Sequence, residues 1–237
     1  MISSIQYGTK TIEFTIIFRQ RKTLEISVEP PNIVSVVAPN GTSEDKVNQY
    51  VKKKANWIVQ QLYLFKDTDF RKINRQIVNG ESFLYLGRNY SLQLIDDLAL
   101  TKPVVNLYQG KIFIKTPTRD EQVLQEAMKD WYKKKALGRV TDRVNYFQSY
   151  FNKKPTAIKV KEQQKRWGSC TANKELLFNW RSIMAPSHIL DYIIVHEMCH
   201  LFYMNHSQEF WNLLSTVMAD YEQRKEWLKN NGVKLDL

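Results

Sequence analysis

Histidine is scarce in this chain: four residues among 237. Cysteine is scarcer still. Two cysteines, Cys170 and Cys199, cannot build a disulfide framework, and they fit a reducing compartment. The opening MISSIQYGTKTIEF lacks a basic stretch followed by an apolar one, so no secretory signal is expected. Long hydrophobic runs are missing too. The most apolar stretch near the histidines, ILDYIIV, is too short to span a bilayer. No segment is of low complexity, and no internal repeat is evident. These absences lead us to expect a soluble, cytoplasmic protein.

What is present supports a folded chain. Apolar residues make up 43% and aromatics 12%, enough for one large domain or two small ones. The net charge is +11, unevenly placed. Residues 1–160 hold 26 Lys/Arg against 15 Asp/Glu, whereas residues 161–237 hold nine of each. The basic excess could attract nucleic acid or another anion, although a solvated basic face explains it more simply.

Up to about residue 115 the pattern is mostly that of strands. TIEFTIIF (11–18), TLEISV (23–28) and NIVSVVAP (32–39) are rich in β-branched residues and bounded by turn residues. A helix follows over 42–65, with Val47, Tyr50, Val51, Trp57, Ile58, Leu62 and Phe65 as its apolar stripe. Two hairpins come next, one turning at Gly87-Arg88-Asn89 and one at Gln109-Gly110. From Thr118 to about Phe151 the period becomes helical, with room for a break near Gly138. Extended segments flank TANKE (171–175). Pro186 then opens a helix, and a last helix is expected from Ser207 to Asn230.

Three of the four histidines crowd into HEMCHLFYMNH (196–206). On a helix, His196 and His200 differ by about 40°, so both imidazoles can reach one ion. Glu197 lies at the edge of that face, within reach of a water on the ion. A third ligand would leave one position open. His206 can supply it only if the helix ends after His200 and the chain doubles back, with Asn205 as the residue best suited to a left-handed turn. Glu209 is the alternative third ligand. Cys199 points elsewhere and reads as core. Zinc is the favoured ion, because imidazole-rich sites with an open position suit it.

RWGSC (166–170), LLFNWRSIMAPSHILDYIIVHEMCHL (176–201) and NHSQEFW (205–211) together resemble the YgjP-like metallopeptidases. A weaker match runs through LYLGRNYSLQL (84–94) and VKKKANWIVQQL (51–62). The resemblance implies an α+β fold. A β-rich basic part (1–117) would precede a zincin-like part (118–237) with an active-site helix, a short antiparallel sheet and a C-terminal helix. It implies one Zn²⁺ held by His196, His200 and His206, in preference to Glu209, with Glu197 as the catalytic acid/base.

The chemistry of the remaining motif residues adds expectations. Arg166 could stabilise developing negative charge or stack on Trp167 or Trp180. Asn179 and Arg181, on one side of a strand, could orient a substrate. Phe210 and Trp211 would pack behind the metal, and His188 would be a surface residue. A peptidase using a zinc-activated water is the leading expectation. A metal-dependent phosphohydrolase acting on nucleotides is the alternative. A zinc protein docked to nucleic acid or a partner ranks third, since no nucleic-acid module is recognisable.

Overall fold

Alternation carries through to burial in the first strands. The computed structural model describes residues 1–29, 32–66, 75–163 and 166–237, without the side chains of 64–66. In β2 (Lys10–Arg19), Ile12, Phe14 and Ile16 are buried and the residues between them exposed. β3 (Glu25–Glu29) and β4 (Ile33–Pro39) complete that side of the sheet. β1 (Ile2–Tyr7) was not expected. It is an edge strand with no buried residue, so it leaves no apolar alternation to read. The sheet order is β1-β2-β4-β3, with β2 and β4 parallel at its centre.

Helix α1 (Glu44–Lys66) buries Val47, Val51, Ala55 and Ile58 against this sheet. Trp57, placed on the stripe by sequence, is 41% exposed. It falls about 115° from the mean direction of the buried residues. Phe65, placed on the same stripe, lies outside the described side chains.

A second sheet repeats the first. β5 (Ser82–Tyr85), β6 (Arg88–Asp96), β7 (Val104–Tyr108) and β8 (Lys111–Thr116) are ordered β5-β6-β8-β7, again with a central parallel pair. The register is conserved in the first two strand pairs, and the third is shifted by one residue, with Ile26 opposite Val36 but Val105 opposite Ile114. Ile5 pairs with Ile12 as Phe83 pairs with Tyr90, and Ile16 pairs with Val36 as Leu94 pairs with Ile114. Each of these positions recurs 78 residues later. A helix follows each sheet, here α2 (Glu121–Phe147). The chain therefore contains two ββββα modules, an internal repeat that the sequence conceals.

Three expectations about turns and helices change. The β5–β6 turn sits at Leu86-Gly87, both left-handed, so Tyr85 faces Arg88. Helix α2 runs unbroken through Gly138, with Asp120 capping the amide of Val123 at 2.9 Å. The expected last helix is two, α4 (Gln208–Val217) and α5 (Tyr221–Asn231). The break lets Trp211 and Tyr221 stack with centroids 5.5 Å apart. On one continuous helix, ten residues would separate them by about 15 Å.

The chain forms two compact units, Met1–Arg71 and Lys72–Leu237, each with its own hydrophobic core. The change of pattern at 117 is thus no boundary between units. Phe83, Leu92, Ile112 and Ile114 of the second sheet share one core with Leu124 and Met128 of α2. That core also takes in β9 (Ala157–Lys161), β10 (Gly168–Cys170), β11 (Glu175–Asn179) and α3 (Ser187–Cys199). The short sheet is mixed and ordered β10-β11-β9, with β9 parallel to β11. No helix among the described residues is long and apolar enough to cross a membrane.

Candidate metal centre

Helix α3 is apolar nearly all round, as a helix inside a core should be. Its start is fixed by the second module. The amides of Leu86 and Gly87 donate to the carbonyls of Ile183 and Met184 at 2.8 and 3.0 Å. A Cβ on Gly87 would come within 2.8 Å of Pro186 Cα. Asp191 forms a two-pronged ion pair with Arg143 of α2 at 2.7 and 2.9 Å.

At its other end α3 stops where a third ligand requires it to. His200 is the cap, and the amides of Phe202 and Tyr203 both return to the Cys199 carbonyl. The reversal uses no left-handed residue at Asn205. Lys174, in the β10–β11 turn with φ of 62°, reaches the His200 carbonyl at 3.4 Å. Its positive charge suits a helix C-terminus.

The reversal brings His206 back to the other two histidines. The ligating atoms of His196, His200 and His206 lie within 4.8 Å of one another. His196 Nε2 and His206 Nε2 are 3.0 Å apart. A tetrahedral ion with bonds of about 2.0–2.1 Å holds its nitrogens roughly 3.3 Å apart, so the spacing fits one ion. His200 Nδ1 lies 2.8 Å from the Tyr203 carbonyl, which can only accept. Nδ1 therefore carries the proton, and Nε2 keeps its lone pair for a metal. Phe210 is fully buried, and its ring lies 4.7–4.9 Å from all three imidazoles. Trp211 stacks on His206 at 5.5 Å. Both aromatics line the site, and Cys199 is core.

Electrostatics keep the donors in ligating form. Burial pulls the His196 imidazole down to about 3, with His200, His206 and Lys225 adding to the effect. Burial also lowers His200 and His206. Burial pushes the Glu197 carboxyl up to about 8, and the charge of Arg166 works against it. Glu197 is 5% exposed, and its Oε2 has no hydrogen-bond partner among the described residues. Gly168 makes room for this side chain, since a Cβ there would lie 2.6 Å from Glu197 Cγ. RWGSC thus uses its glycine for close approach; its φ is not left-handed.

The other candidates divide. Glu209 is exposed and hydrogen-bonds Ser207 and its own backbone, so it lies outside the histidine group. Arg166 is exposed and stacks on neither Trp167 nor Trp180 among the described contacts. Arg181 takes that place, 4.3 Å from the Trp180 ring. It also pairs with Asp236 at 2.6 Å and Glu162 at 3.0 Å. Asn179 is buried and donates to the carbonyls of Gln163 and Arg166 at 2.7 and 3.1 Å. The expected strand ends at Asn179 and passes into a 3-10 turn, so Asn179 and Arg181 do not share one side of a strand, and both are hydrogen-bonded within the protein. His188 is exposed. Lys174 and Lys225 were missed. The turn-like TANKE hinted at the first, and nothing in the sequence pointed to the second.

No curated protein matches the chain. One solved structure, the metallopeptidase zymogen of Pyrococcus abyssi abylysin, aligns at 13% identity and a TM-score of 0.37. The alignment covers 40% of this chain and 96% of that one. The model of the YgjP-like, metallopeptidase domain matches residues 22–231, a span that includes the three histidines and Glu197, and the chain belongs to that family.

Proposed function

We propose that this protein is a zinc-dependent peptidase. One observation carries the reading: three imidazoles converge beside a buried carboxylate one residue along the same helix. His196, His200 and His206 would hold one zinc. Zinc held there would supply a water of pKa about 7 and Lewis acidity toward a carbonyl. Glu197 takes the proton of the attacking water and later gives it to the leaving amine. Its raised pKa suits a group that must hold a proton and release it near neutrality. Arg166, whose charge already acts on Glu197, stabilises the negative charge that forms on the carbonyl oxygen. β10 is the edge strand beside Glu197, and an extended peptide can pair with it through its main chain. The two free thiols agree with a cytoplasmic setting.

The test is metal content and Glu197→Gln. One zinc per chain is expected, lost in His206→Ala. Glu197→Gln should keep the metal and lose about 10²–10⁴-fold in peptide cleavage. A second reading, hydrolysis of a phosphoanhydride, is favoured by the cations Arg166, Lys174 and Lys225, which have no carboxylate partner among the described residues. Phosphate release from nucleoside triphosphates that is lost in Glu197→Gln, with no peptide cut, would replace the first reading by the second.

A further inference from the structure

We infer that residues 232–237 form a strap that positions Arg166 and Gly168 over Glu197, with Asp236, Arg181 and Asn179 as its positioning residues. The inference rests on the peptidase reading for its kinetic consequence, but not for its structural one.

The connection can be followed atom by atom. Asp236 Oδ1 accepts from Arg181 Nε at 2.6 Å and from the Leu237 amide at 3.0 Å. The Asp236 carbonyl accepts from Arg75 Nη1 at 3.4 Å, and Leu235 beside it is buried. The strap is therefore anchored in the core. Arg181 passes the constraint on, since its other arm holds Glu162 and its backbone amide donates to Asn179 Oδ1 at 3.1 Å. Asn179 then uses its amide group on the carbonyls of Gln163 and Arg166, and its backbone N–H on the Trp167 carbonyl at 2.9 Å.

A second route meets the first. A Cβ on Gly232 would lie 2.8 Å from Trp167 Cζ2, so the indole rests directly on the strap. Trp167 is bounded by Arg166, whose charge reaches Glu197, and by Gly168, which touches it. Residues flanking the reacting carboxylate are thus held from two sides by a segment more than 30 positions away in sequence. A loosely held group near the reacting atoms lowers turnover steeply, because small misplacements are costly.

The experiment uses the full-length, zinc-loaded protein and four variants: Asp236→Ala, Asp236→Asn, Arg166→Ala and the double variant Asp236→Ala/Arg166→Ala. Asp236→Ala should raise amide hydrogen exchange across 166–170 about ten-fold and leave 187–199 unchanged. Asn keeps an acceptor oxygen and should recover part of the protection. In peptide cleavage, Asp236→Ala should lower kcat about ten-fold with KM within about two-fold. That loss should disappear when Arg166 is already alanine. Unchanged exchange at 166–170, or losses that multiply in the double variant, would overturn the strap. If no peptide is cut by any form, the peptidase reading fails, and the exchange measurement still decides this one.

Discussion

The two ββββα modules share strand order, a parallel centre and the register of their first two strand pairs, yet they are used differently. In the first, α1 is buried along a single stripe, and the tip of the leading hairpin, Gly8-Thr9, is exposed. In the second, α2 buries residues from Leu124 to Phe147, including Trp131 and Tyr132. The corresponding tip, Leu86-Gly87, hydrogen-bonds the 3-10 turn Trp180–Met184 that leads into α3. One scaffold is thus a self-contained sheet and helix in the first copy and a pedestal for the histidine-bearing helix in the second. The difference lies in what the tip of the leading hairpin touches.

Paired substitutions can break or sharpen this contrast. The largest effect should come from the hairpin tips. Gly87→Ala combines a φ of +78° with a Cβ 2.8 Å from Pro186 Cα, and should cost roughly 4 kcal/mol by denaturant titration. Gly8→Ala has a φ of +60° but open space, and should cost about 1 kcal/mol. Equal losses would end the distinction.

Core truncations come next. Met128 and Val51 are both fully buried, one in each helix. Met128→Ala should cost about 3 kcal/mol and weaken metal binding, whereas Val51→Ala should cost about 2 kcal/mol and leave zinc affinity unchanged by competition titration. Weaker zinc binding in Val51→Ala would show that the first module also supports the site.

A further test concerns pH in metal-free protein. Glu197 titrates near 4.5 unfolded and near 8 folded. Between those values the folded chain keeps a proton that the unfolded chain has released, so its stability falls as pH rises. Glu197→Gln lacks that group. Its stability relative to the original should therefore climb from about pH 5 to about pH 8 and then level off. A flat difference would mean that the carboxylate is better solvated than its burial implies.

Much of the metal centre was legible, because the His-Glu-x-x-His spacing is a statement about helix geometry. The approach of His206 to the other two histidines was legible only as a condition, that the helix stop after His200, and it does. Asn179 and Arg181 were placed on one strand face because alternation was extended two residues beyond the strand, past the point where the 3-10 turn begins. Lys225 comes close to the histidines only through the packing of α5 beside Trp211, a tertiary fact with no local trace. The repeated module escaped notice for a similar reason. Paired positions keep their apolar class, as Ile16 and Leu94 or Val36 and Ile114 do, but rarely their identity.

The 78-residue recurrence also bears on how the chain assembles. Two sheets with identical strand order on one polypeptide create a sorting problem, since β2 could capture β8 where β4 belongs. Divergent side chains at matching positions oppose such exchange, and so does synthesis from the N-terminal end, which completes α1 before β5 emerges. The sequence drift that hides the repeat from a reader helps each strand find its own partner.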